Sequence, residues 1–120
     1  MSADSYMDMA LEEARAAARR GEVPVGAVLV DADTGEVLAR AGNLTEEMND
    51  PTAHAEILVI RAAAGAKGEP RLPNCDLYVT LEPCPMCATA ISFARLRRVY
   101  FGAYDPQGGG VDHGPRVFES

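Results

Sequence analysis

Three features of the sequence predict a three-layer α/β/α sandwich built on a mixed central sheet. An alanine-rich run with helical spacing, Met9 to Arg20, lies near the start of the chain. It leads into Val23–Val30, mostly apolar and β-branched, then into a turn that sends the chain back as the second arm of a hairpin. Beyond the hairpin, helical and strand patterns alternate, the order expected when helices cover a sheet. With 120 residues, 48% of them hydrophobic, the chain suffices for one compact domain over residues 1–120.

Each element has a local reason. Ser5 reads as the N-cap of the first helix, with Asp8 three residues on as a shorter relative of the capping box. Met9, Ala10, Ala14, Ala17 and Ala18 make a stripe small enough to lie close on a sheet. Gly21 suits the C′ stop. Gly26, inside the first strand, signals close approach by a backbone or a ligand. Asp31 to Gly35 reads as the turn and Glu36 to Ala41 as the returning strand. Residues 42–51 read as a polar, irregular stretch that ends beside His54 and can line a pocket. A second helix is expected from Thr52 or Ala53 to about Ala64, and a strand over Asp76–Leu81. A third helix is expected from a Cys84 cap to about Arg95, with Pro85 in the first helical position, where its missing N–H does no harm. Arg98–Gly102 reads as the fourth strand, Gln107–Gly110 as a flexible glycine loop, and Val117–Glu119 as the start of another element. The hairpin strands are antiparallel, and the later strands, joined through helices, are parallel.

Composition narrows the function classes. The polar, acidic start does not resemble a signal peptide, and no apolar run is long enough to span a bilayer. Three cysteines, two of them in Cys-x-x-Cys spacing, argue against a disulfide framework and suit a reducing cytoplasm. The net charge of −7 speaks against a generally basic surface. The balance is uneven, however. Residues 1–60 carry four Arg/Lys against twelve Asp/Glu, while residues 61–120 carry seven against six. Arg95, Arg97 and Arg98 are the densest basic cluster: either a local nucleic-acid contact or an ordinary solvated or interface face.

The chemistry concentrates in Pro83-Cys84-Pro85-Met86-Cys87, with His54-Ala55-Glu56 about thirty residues upstream. His54, Cys84 and Cys87 are three donors of the type zinc prefers, and no fourth follows the pattern. A three-ligand site that leaves one position to water is the catalytic form; a structural site is closed by a fourth protein ligand. Cys84 and Cys87 lie at i and i+3, on one helix face. His54 opens another helix, so two helix N-termini meet at the donors and favour thiolate and hydroxide there. Glu56 is placed to take a proton from water and deliver it to a departing amine. His-x-Glu followed by Pro-Cys-x-x-Cys is the signature of zinc nucleobase deaminases. A redox Cys-x-x-Cys pair and a closed structural zinc site are the alternatives, and the flanking prolines and His-x-Glu weigh against them. Cys75 reads as a small buried residue, His113 as solvated, Met86 as core, and Glu82 as making structural hydrogen bonds at a strand end.

The chain resembles the bacterial tRNA-specific adenosine deaminases of the cytidine/deoxycytidylate deaminase superfamily. The resemblance is carried by Val23–Val30, Asn49–Ile57, Leu77–Ala88 and Arg98–Ala103, nearly the length of the chain. It implies the cytidine deaminase-like version of the sandwich, one Zn2+ per subunit, a homodimer, and conversion of adenosine to inosine at the wobble position of a tRNA anticodon arm. It implies that His54, Cys84 and Cys87 hold the zinc and Glu56 moves protons. Asn43 and the Ala55 backbone amide would hold the base, and Asp105 would lie near the ribose. The helix after Cys84 would supply dimer contacts, and Arg95 and Arg98 contacts to the RNA backbone. The family pattern continues with a further strand and a C-terminal helix that helps grip tRNA. Neither is present in the 120 residues, which leaves a sheet edge unpaired. Deaminases of free guanine or cytosine share much of the motif, and a non-catalytic zinc-fold binding protein is the reading from another class.

Overall fold

The computed structural model describes residues 2–119. Helix α1 spans Ala3–Arg19, strands β1 and β2 span Gly26–Asp31 and Val37–Gly42, and a short helix α2 spans Thr45–Met48. Helix α3 (Ala55–Lys67), β3 (Cys75–Val79), α4 (Pro85–Ala94) and β4 (Arg98–Phe101) follow, then a 3-10 turn over Val117–Glu119. The sheet order is β2-β1-β3-β4. β1 is antiparallel to both β2 and β3, and β3 is parallel to β4. Thus β2, β3 and β4 all run one way and β1 alone opposes them, in line with the predicted mixed sheet.

The alternation of side chains along β1 divides the core into two layers. Val28 and Val30 face Tyr6 and Ala10 of α1 together with Tyr78. Ala27 and Leu29 face the other way, onto Val59 and Ala63 of α3 and Ile91 of α4. The small stripe of α1 is the buried one at Ala10, Ala14 and Ala17, with Tyr6 extending it, while Ala18 is exposed. Gly26 is where α1 comes closest. A Cβ there would stand 2.0 Å from the Ala10 carbonyl oxygen and 2.5 Å from the Ala14 nitrogen. The close approach expected at Gly26 is therefore by a helix backbone.

Two elements differ from expectation. α1 begins at Ala3, two residues before Ser5. Ser2 has the extended cap conformation, and its Oγ accepts the Ser5 N–H at 3.3 Å, so Ser5 lies inside the first turn. The stretch after Gly42 contains α2, which has no side-chain cap of its own. The cap comes from elsewhere: the buried Glu22 carboxylate accepts the Glu46 and Glu47 N–H groups at 3.0 and 2.9 Å and the Thr45 hydroxyl at 3.3 Å. A carboxylate at a helix N-terminus meets both the unpaired amides and the positive end of the dipole. These bonds hold Glu22 below the usual carboxylate range, the Glu46 amide most of all, against the upward push of burial. β4 pairs only with β3 among the described residues, so one edge of the sheet is unpaired.

Candidate active site and metal centre

His54 and Cys84 are the N-caps of α3 and α4. α3 and α4 pack on one face of the sheet, so their N-terminal ends, and the positive poles of two helix dipoles, converge. The His54 Nδ1 atom lies 3.7 Å from Cys84 Sγ and 3.5 Å from Cys87 Sγ. All three donor atoms lie within 4.8 Å of one another, the one such group among the described residues. Tetrahedral zinc with ordinary bond lengths requires a nitrogen-to-sulfur separation of about 3.6 Å. The donor set and its spacing therefore fit Zn2+.

The electrostatics agree. Cys84 is lowered to about 5, chiefly by the Cys87 thiol, with the Cys87 and Met86 amides and His54 also favouring its thiolate, and burial opposing. Cys87, deeper, is pushed up by Cys84 and by burial. The coupling thus favours the thiolate at Cys84 over the one at Cys87. Cys75 is far from them in role: 1% exposed, with its thiol pushed up by burial.

Glu56 sits in the first turn of α3 and is 3% exposed. Its Oε1 is the one buried side-chain oxygen or nitrogen without a hydrogen-bond partner among the described residues. A buried polar atom left unpaired costs about 1–3 kcal/mol. Burial pushes its carboxyl up, so it holds a proton more readily than an exposed glutamate. Glu56 lines a cavity of about 280 Å³ that His54, Cys84, Asn43 and Asp105 also line. A larger hollow of about 500 Å³ runs between α4 and β4, but none of the metal-type donors lines it.

The sequence-derived residues fall around this cavity with one shift. Asn43 is buried, and its Oδ1 accepts the Ala55 N–H at 2.8 Å. The amide expected to hold a base is thus engaged within the protein, and the Asn43 Nδ2 group is the end with no partner among the described residues. Asp105 also lines the cavity, its Oδ1 accepting the Gln107 and Gly108 amides. His113, expected to be solvated, instead places Nδ1 2.7 Å from the fully buried Glu82 carboxylate. Of the basic cluster, Arg97 is committed to Asp76 through two bonds of 2.9 and 2.6 Å, while Arg95 and Arg98 remain exposed. Sequence reasoning missed Glu22, whose only signal was an acidic residue next to an apolar strand. No helix among the described residues is long and apolar enough to cross a membrane.

Comparison with known proteins agrees with this geometry. The cytidine and deoxycytidylate deaminase zinc-binding region matches residues 1–103. A tRNA-specific adenosine deaminase of Agrobacterium fabrum is 64% identical over 113 residues, which are 94% of this chain and 73% of that protein. One of Bacillus subtilis is 55% identical over 87% of this chain, and the match spans 63% of that protein's length. A structure solved in studies of A-to-I editing by tRNA:A34 deaminases at the wobble position superposes with a TM-score of 0.94. It is 62% identical, and the match covers 98% of this chain and 83% of that one. A guanine deaminase from Bacillus subtilis superposes at 0.82 with 38% identity, over 87% of this chain and 66% of that one. A convergent His54–Cys84–Cys87 donor set with a matching family signature over residues 1–103 places this chain in the cytidine and deoxycytidylate deaminase family of zinc-dependent deaminases.

Proposed function

We propose that the protein converts adenosine to inosine at the wobble position of tRNA, with release of ammonia. The observation that carries this is the unpaired Glu56 oxygen beside the His54–Cys84–Cys87 donors, on the wall of a nucleoside-scale cavity. The chain's similarity to tRNA-specific adenosine deaminases supports the substrate. His54, Cys84 and Cys87 would hold Zn2+, which when bound supplies a water acidified toward neutral pH. Glu56 does the proton work: Oε1 takes a proton from the attacking water and delivers it to the amino group leaving C6 of adenine. Water and adenosine give inosine and ammonia, and Glu56 ends as it began. Asn43 presents its Nδ2 group to the base, held in aim by the bond its Oδ1 makes to Ala55. Ala55 therefore contributes through Asn43. Asp105, which also lines the cavity, would meet the ribose. The protein works in the cytoplasm as a homodimer, and exposed Arg95 and Arg98 meet the RNA backbone.

The test offers an anticodon stem-loop with wobble adenosine beside free adenine, guanine, cytosine and cytidine. Ammonia release from the stem-loop alone is the expected result. Release from free guanine and not from the stem-loop would assign the activity to which the guanine deaminase likeness points.

A further inference from the structure

One buried charged group near the cavity has no part in the proton chemistry: Glu82, whose side chain has 0% exposure. Its Oε2 accepts the N–H groups of Val111, Asp112 and His113 at 3.1, 2.9 and 3.0 Å. Its Oε1 accepts the Asp105 N–H at 3.1 Å and pairs with His113 Nδ1 at 2.7 Å. A buried carboxylate is costly unless its lone pairs are met, and here they are fully met. Burial pushes this carboxyl up, but the bonds from His113, Asp105 and Asp112 prevail and lower it to about 2.

All these donors come from one loop, residues 105–113, and the acceptor immediately precedes Pro83-Cys84. The packing leaves no slack. A Cβ on Gly109 would stand 2.4 Å from the Glu82 carboxyl carbon, and one on Gly110 would stand 2.6 Å from the Pro85 nitrogen. The Gly110 N–H donates to the Pro83 carbonyl at 2.8 Å, and the Glu82 N–H to the Ala103 carbonyl at 2.8 Å. The Asp105 carboxylate, turned back on Gln107 and Gly108, takes its place from a backbone that Glu82 anchors.

We propose that Glu82 is a positioning residue for substrate: it holds the Asp105–Gly108 wall of the cavity in register with the Cys84 turn. The inference rests on the deaminase reading above and adds the device that fixes the wall facing the nucleoside. Glu82→Gln separates this role from a general contribution to folding. Three amides face Oε2, so the new NH2 must turn to the Oε1 side. There His113 accepts it in its other tautomer, and the Asp105 N–H alone loses its acceptor.

The experiment combines hydrogen exchange by mass spectrometry with steady-state kinetics on the stem-loop, using zinc-loaded protein. Amides in residues 103–113 should exchange about tenfold faster while α1 and β1 do not change, the loss of one hydrogen bond to a charged group. KM should rise about tenfold with kcat held within about threefold. Unchanged exchange in that loop, or activity that falls with the folded fraction at constant KM, would overturn the proposal. Should Glu82→Gln fail to fold, His113→Ala is read instead: it removes one donor and should raise both loop exchange and KM about threefold. No change in either would again count against the proposal. The exchange measurement needs no substrate. A wild type inactive on the stem-loop therefore sinks the substrate reading and leaves loop exchange to decide the role of Glu82.

Discussion

Replacing Asn43 with alanine perturbs fold and chemistry by separable amounts. The Asn43 Oδ1 accepts the Ala55 N–H at 2.8 Å, and Ala55 is fully buried at the N-terminus of α3. Asn43→Ala leaves that amide without an acceptor, at a cost of about 1–3 kcal/mol. For a domain of this size, that lowers the thermal midpoint by roughly 5–10 °C. It also removes the Nδ2 group from the cavity, and one lost contact should raise KM about tenfold. Asn43→Asp divides the two effects. The carboxylate still accepts from Ala55 and is favoured by the helix dipole, so stability should stay within about 1 kcal/mol of wild type. The donor is gone, however, so KM should rise as much as in the alanine variant. Differential scanning fluorimetry and stem-loop kinetics on the three proteins read both quantities. A midpoint for Asn43→Ala within about 1 °C of wild type would show that the Ala55 bond contributes nothing measurable to stability. Wild-type KM in Asn43→Asp would show that the amide NH2 does not meet the base.

Further outcomes follow from the same structure. Gly26→Ala puts a Cβ 2.0 Å from the Ala10 carbonyl oxygen, so α1 must shift off the sheet; the urea midpoint should fall by an amount worth about 3 kcal/mol or more. Glu22 has its folded-state pKa lowered by the α2 amides, so its contribution is present above the ordinary glutamate value and is lost as pH falls through the lowered one. The gap in urea midpoint between wild type and Glu22→Gln should therefore be full at neutral pH and close in acid, and a gap that widens in acid would reverse the sign. Chelating the zinc should abolish ammonia release and expose Cys84, lowered to about 5, to iodoacetamide at pH 7. Peptide mass spectrometry should find Cys84 alkylated first and Cys75, 1% exposed, only after unfolding.

What the sequence revealed and what it concealed divide along physical lines. The layers were legible because β1 and the helices carry their periodicities in local order. The metal donors were legible because Cys84 and Cys87 share one helical turn and His54 opens another helix. The start of α1 was misplaced because Ser2 and Ser5 are both good caps, and the choice depends on which of them takes the extended conformation. α2 was missed because its cap, Glu22, is supplied across the fold from 24 and 25 residues away. The pairing of His113 with Glu82 spans 31 residues and left no local pattern, so His113 read as solvated. Ala55 shows the same limit at short range: the resemblance gave its amide to the base, but not the Asn43 oxygen that accepts from it.

The most direct test of the account is Glu56→Gln, measured for zinc content and for ammonia release on the same sample. The side chain keeps its size and loses the ability to carry a proton at the oxygen that stands unpaired by the donors. One zinc per subunit with turnover reduced by about 10²–10⁴ is the predicted result. Zinc retained with turnover within about tenfold of wild type would contradict it, because general acid–base catalysis of this kind is worth far more.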